Sequence, residues 1–343
     1  MQTRSRARVR ASSTGVRSWV SYASTMVRLG LCCTFLSEPI KFRTTTVRYS
    51  STLTPEDRRG LLNSLARHNV AALRCAIAWC AANGVGAFRV QSGLLPLYTH
   101  PTAGWKLGGA IGAGIADGLR AAGADARRLG VRLSFHPDQF VVPGSVNPST
   151  VKASLAELEY MGEVAALVGG EQITIHGGGA HGGKQVSLDR LAQGLGRLSP
   201  RARDRVVLEN DDRLYTVEDL LPVCERLSIP LVYDVHHHRC NPDRLDVERA
   251  TELAAETWGG REPWVHLSSP AQGWRSGDPR PHADYIDTAD VPRSWLDRTL
   301  TIDVEAKAKE LAVVELQTWV TARDRTRSRR AAAAVERHGP RRR

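Results

Sequence analysis

At 343 residues and 42% hydrophobic content the chain can close one large core, and a single barrel of alternating strands and helices needs about 250 residues. No apolar run nears the roughly 18 residues that span a bilayer, and six cysteines (32, 33, 75, 80, 224 and 240) without a CxxC pair read as reduced, so a membrane protein and an exported disulfide scaffold are not expected. The net charge of +11 is carried by the ends: five Arg and no acid in 1–25, nine Arg against two acids in 321–343, so that 26–320 nets −1 and charge alone does not argue for nucleic acid.

Residues 1–25 are Arg- and Ser-rich without periodicity and read as a disordered basic extension, or as residues ahead of the true start at Met26. From there strand and helix signals alternate. A strand is expected at 27–35, then a long amphipathic helix at 55–82 with Thr54 as N-cap and Pro55 in the first helical position. Strands follow at 87–92, 132–136, 172–176, 206–210, 231–238, 263–269 and 300–305. Helices at about 108–129, 148–168, 187–198, 216–228 and 246–257 separate them, with an irregular Gly/Pro/Asp stretch at 270–298. A last helix runs to about 320, and 323–343 reads as a disordered Arg-rich tail. Near-continuous apolar strands alternating with helices mean a parallel sheet covered on both faces, and eight of them mean a closed (β/α)8 barrel over residues 26–322. A doubly wound open sheet is the alternative.

The strand ends carry the chemistry. The run LVYDVHHH (231–238) ends in Asp234, His236, His237 and His238, and the other late strands end in His136, His176, Glu209, His266 and Glu305, with His282 in the loop that follows 263–269. One such histidine would ordinarily be a satisfied core residue. A parallel barrel, however, opens all its strand C-termini on one face, so these side chains converge without sharing a local motif. Neutral imidazoles and carboxylates together suit Zn²⁺, Mn²⁺ or Fe²⁺ better than Ca²⁺. Eight donors exceed one tetrahedral ion, so two or three ions are expected, bridged by Glu209 and Asp234. Ions a few Å apart suit in-line displacement at phosphorus. On the strand 231–238, His236 and His238 flank His237 and so face the opposite side from it.

At this point the chain resembles a family. HPDQFVV (136–142), IHGGG (175–179), LENDD (208–212), YDVHHH (233–238), VHLSSP (265–270), HADYID (282–287) and VEAKAKE (304–310) resemble, in order, the motifs of the UV-damage endonucleases, which are similar to endonuclease IV. The resemblance implies a metal-dependent phosphodiester hydrolase that nicks damaged double-stranded DNA 5′ to UV photoproducts, with abasic sites a further substrate. It implies two or three divalent ions, Mn²⁺ or Zn²⁺, and Glu209, Asp234 and Glu305 as the catalytic carboxylates. His136, His176 and Glu209 would hold one ion; Glu209, Asp234, His266 and Glu305 a second; His237 and His282 a third. It implies that Gln139 and Phe140 wedge into the duplex, that Leu31 stands where the family often has a lesion-probing aromatic, and that Trp264 replaces a Lys able to complete the third site, leaving Asp284 as a substitute. Arg89 and Lys307 are candidate phosphate contacts. A cytoplasmic monomer is expected.

Two rival functions remain at the sequence level. A two-metal sugar isomerase or epimerase would turn over a ketose and ignore DNA. A non-catalytic damage binder would bind lesions without nicking. GGGAHGGK (177–184) approximates a phosphate loop, but Gln185 stands where Ser or Thr should bind Mg²⁺, so nucleotide binding is set aside.

Overall fold

The structure, a computed structural model, describes residues 27–338; the basic extension and the last five residues lie outside the described residues. Eight strands close into one barrel: β1 (Val27–Cys32), β2 (Ala87–Val90), β3 (Arg132–Phe135), β4 (Gln172–His176), β5 (Val206–Glu209), β6 (Leu231–Asp234), β7 (Trp264–Leu267) and β8 (Leu300–Val304). Every neighbour is parallel, and β8 returns to β1 with Val27 beside Leu300 and Gly30 beside Asp303. The expected (β/α)8 barrel is therefore the fold.

Two-residue alternation divides the strands' side chains between two layers. Leu29, Leu31, Phe88, Leu133, Phe135, Ile173, Ile175, Leu208, Tyr233, Val265, Leu267, Ile302 and Val304 are buried in the large apolar layer between barrel and helices. Ala87, Val207, Val232 and Trp264 form a separate small cluster with Trp258, in register with the inward-facing set. Above them, toward the strands' C-terminal ends, the buried residues of that set become polar: Arg89, Ser134, Glu209, Asp234, His266 and Asp303. The helices begin where the local chemistry says they should. Thr54 accepts from the Asp57 N–H at 3.1 Å ahead of the helix Pro55–Ala82, and Thr216 and Asp219 cap each other's backbone ahead of Val217–Leu227.

Three expectations need correction. The run 231–238 is not one strand: β6 ends at Asp234, whose Oδ1 accepts from the His237 N–H at 2.8 Å and so caps a short helix, Val235–Cys240. The helix expected from 108 begins at Ile115, after a 3-10 turn at Ala110–Gly112. The last helix does not stop near 320 but runs Glu310–His338, so the chain is helical over most of the tail expected to be disordered. Ala and Arg, which dominate that tail, are strong helix formers, and their propensity outweighs the lack of apolar residues.

Candidate metal centre and nucleic-acid face

Strand register sets the centre. It places His176 of β4 beside Glu209 of β5, and Asp234 of β6 beside His266 of β7. Glu209 is the hub. Its Oε2 lies 2.9 Å from His136 Nε2 and 3.7 Å from His176 Nε2, and its Oε1 lies 2.8 Å from His266 Nδ1 and 3.4 Å from His237 Nδ1. His266 Nδ1 also stands 3.5 Å from Glu305 Oε1 and 4.0 Å from Asp234 Oδ2. His237 Nδ1 is 3.6 Å from the same Asp234 oxygen, and His282 Nδ1 is 3.8 Å from Glu305 Oε2. All eight sequence-derived donors thus share one mouth.

Two triads are tight enough for their donor atoms to share an ion, His136–Glu209–His266 and His176–Glu209–His237. This grouping crosses the sets implied by resemblance, because Glu209 faces four imidazoles at once. Two of the donors also have buried polar atoms free to take a cation. Asp234 Oδ2 and His176 Nδ1 are buried with no hydrogen-bond partner among the described residues, a costly state for a carboxylate oxygen. Burial pushes the Glu209 carboxyl up, yet the surrounding imidazoles, His266 first, hold it well below the usual range. Glu305 is likewise held low against its burial, chiefly by Arg89. Burial lowers His237, but Asp234 and Glu209 outweigh it and raise the ring well above 6.5. His176, with burial dominant, is lowered and stays neutral. The donor set fits divalent ions that prefer nitrogen and oxygen together.

The loops complete the mouth. A cleft of about 420 Å³ runs from His136 and Gln139 past Gly178 and Gly179 to Arg213 and His282. Gly177 is required there, since a Cβ would lie 2.5 Å from the Tyr215 ring, whose hydroxyl donates to the Gly179 carbonyl. Gln139 is exposed and Phe140 is 75% exposed, so Phe140 is not core; it borders a groove of about 820 Å³ with Leu95, Tyr98 and Tyr160 along its walls. Lys307 is exposed. A cavity of about 550 Å³ beside Trp258 and Trp264 lies at the opposite, N-terminal end of the strands.

Other expectations fail on the same geometry. Leu31 does not reach DNA: Gly30 faces inward, so Leu31 points into the apolar layer and is fully buried. Arg89 is not a phosphate contact, being buried with its guanidinium on Asp303, Glu305 and His266. Because 235–240 is helical, His236 and His238 do not share one opposite face. His236 packs on Trp274 and His282, whereas His238 bonds the Tyr233 hydroxyl and lies 3.2 Å from Asp243. Asp303 went unassigned, although it lies near the end of β8, two residues before Glu305, on the inward-facing side of the strand. Cys33, which also went unassigned, lines the mouth in a left-handed conformation at φ +66°.

Comparison with known proteins is consistent with this arrangement. Residues 27–333 match the family model of the UV-endonuclease UvdE. The chain is 36% identical over 302 residues to a UV DNA damage endonuclease of Deinococcus radiodurans, covering 84% of this chain and 94% of the relative. It is 30% identical over 298 residues to one from Nostoc, covering 85% and 89%. The crystal structure of SacUVDE superposes with a TM-score of 0.75 at 26% identity, over 87% of this chain and 99% of that one. Endonuclease IV of Thermus thermophilus shares the fold at TM-score 0.55 and 16% identity, over 86% and 98%.

Proposed function

The chain belongs to the UV-endonuclease family, and from that premise we propose that it nicks duplex DNA 5′ to UV photoproducts with two or three divalent ions held at the barrel mouth. The observation that supports this reading best is the ring of donors around Glu209, with one buried Asp234 oxygen that has no hydrogen-bond partner among the described residues. His136, His176, Glu209, Asp234, His237, His266, His282 and Glu305 would hold the ions. Divalent ions, when bound, supply Lewis acidity: they ease deprotonation of the attacking water and offset charge on the phosphate.

The chain's own residues do the rest. Glu209, fixed by four imidazoles, stays ionised near neutral pH and keeps both oxygens aimed into the mouth. Asp234 has its backbone N–H held by the Asn210 side chain at 2.9 Å, and this fixes the end of β6. Phe140 would enter the base stack at the lesion while Gln139 meets the orphaned partner, and the groove beside Phe140 offers room for displaced bases. Lys307 would contact phosphate. The protein acts as a monomer on chromosomal DNA in this reading.

The direct test is a nicking assay with Mn²⁺ on three labelled duplexes, one with a single UV dimer, one abasic and one undamaged. A cut 5′ to the dimer, abolished by chelator, is the expected result. Cutting only at the abasic site would replace the substrate assignment. Metal uptake without cutting of any duplex would favour a damage-binding role.

A further inference from the structure

Beneath the donors lies a polar chain that the reaction as described does not use. Arg89 reaches in from β2 with Nε 3.0 Å from Asp303 Oδ2, one terminal nitrogen 2.5 Å from Glu305 Oε1 and the other 2.8 Å from His266 Nε2. Asp303 is held in turn by the Trp264 indole N–H, which donates to Oδ1 at 3.1 Å, and by the Ser134 hydroxyl at 3.3 Å. Trp264 is itself immobilised, fully buried with the Arg132 guanidinium 3.7 Å over its ring. Gly30 belongs to the same arrangement: a Cβ there would collide with Asp303 Oδ1. The chain runs from the apolar floor of the barrel to two of the donors.

We propose that Arg89, locked by Asp303 and Trp264, is a positioning residue that fixes Glu305 for metal binding. The planar guanidinium addresses three partners at once, which a flexible ammonium cannot do. With Oε1 of Glu305 committed to Arg89, Oε2 turns toward His282. His266 Nε2 accepts from the Arg89 guanidinium at 2.8 Å, which sets the ring plane and leaves the proton on Nδ1, 2.8 Å from Glu209 Oε1; the Asp303 carboxylate, at 3.9 Å, is beyond hydrogen-bond reach. Asp303 and Arg89 also neutralise one another, so a buried cation sits beside the donors without an unpaired charge. Trp264 thereby acquires a role: it seats Asp303 from the layer below, where a residue two positions before His266 on the same strand must point.

This inference rests on the proposed metal centre, and the experiment separates the two. Mn²⁺ affinity, kcat and KM for a dimer-containing duplex, and the salt dependence of DNA binding are measured for the wild type, Arg89→Lys, Asp303→Asn and Trp264→Phe. Arg89→Lys should lose about 10–100-fold in Mn²⁺ affinity and in kcat, as removal of a partner behind metal ligands does, with KM unchanged. Asp303→Asn and Trp264→Phe should move the same two readouts less and in the same direction. A rise in KM with a shallower salt slope and unchanged Mn²⁺ affinity would make Arg89 a phosphate contact and overturn the proposal. If Arg89→Lys does not fold, the other two variants decide, and wild-type Mn²⁺ affinity and kcat in both sinks it. A wild type that binds no Mn²⁺ overturns the metal centre itself.

Discussion

Glu209 is the residue on which the proposed chemistry turns. Glu209→Gln keeps the side chain's shape but removes the charge that His136 and His266 face, so nicking should be lost with far-UV circular dichroism unchanged; full activity would remove the cluster assignment. Phe140 is the opposite case, exposed and without packing to lose. Phe140→Ala should reduce incision at a dimer by about 1–3 kcal/mol, roughly 5- to 150-fold, while Mn²⁺ content and melting temperature stay at wild-type values. As a proposed ligand, His237 should make metal binding pH-dependent. Its ring is raised well above 6.5, where burial is outweighed by Asp234 and Glu209, and a ligand imidazole must be neutral. Mn²⁺ affinity should therefore climb as pH rises through that raised value, and flat affinity across this range in calorimetric titrations would exclude His237 as a ligand. Seven of the eight donors were legible as residues because each lies at or just beyond a strand end, and His282 because it stands in the loop that follows β7. Arg89 was misread because the Arg of AFRV gives no sign of its partner until the barrel brings Asp303 of β8 across to it.

At the scale of elements, periodicity located all eight strands, and most errors fall at their ends. The strand expected at 231–238 stops at Asp234 because a capping bond competes with strand extension. A single carboxylate there serves two ends, closing β6 and presenting its free oxygen to the site, which no local pattern announces. Loop ties were equally hidden. Glu310, at the start of the last helix, accepts from the backbone N–H of Leu36 at 2.7 Å and of Ser37 at 2.6 Å, pinning the loop after β1. Burial raises this carboxyl, yet those N–H groups outweigh it and leave it below 4.5. A carboxyl lowered on folding stabilises above its unfolded pKa and loses that contribution as pH falls through the folded value. Glu310→Gln should cost about 2 kcal/mol near neutral pH, from donors left unsatisfied, and the gap to wild type should close in acid. Melting curves of both proteins at two pH values check the sign.

Across the whole molecule, the barrel was legible because alternating apolar strands and helices admit few closures, whereas the reach of the tail was not, since composition says nothing of where a helix points. The last helix starts beside the mouth, after β8, and runs back along the barrel. By Arg327 it has reached Asp297, which precedes β8 at the opposite end, and that is also the end from which β1 sets out. At Arg327 the helix has therefore reached the end of the barrel turned away from the donors. Truncation after residue 322 should leave the nicked position and kcat on a short duplex unchanged. The basic charge of 321–343 can add salt-dependent affinity for a neighbouring stretch of DNA. A protein bound at one lesion would then stay tethered to the chromosome through this tail, moving from duplex to duplex without full release, and removing the tail should slow transfer between two long DNA molecules in a competition assay.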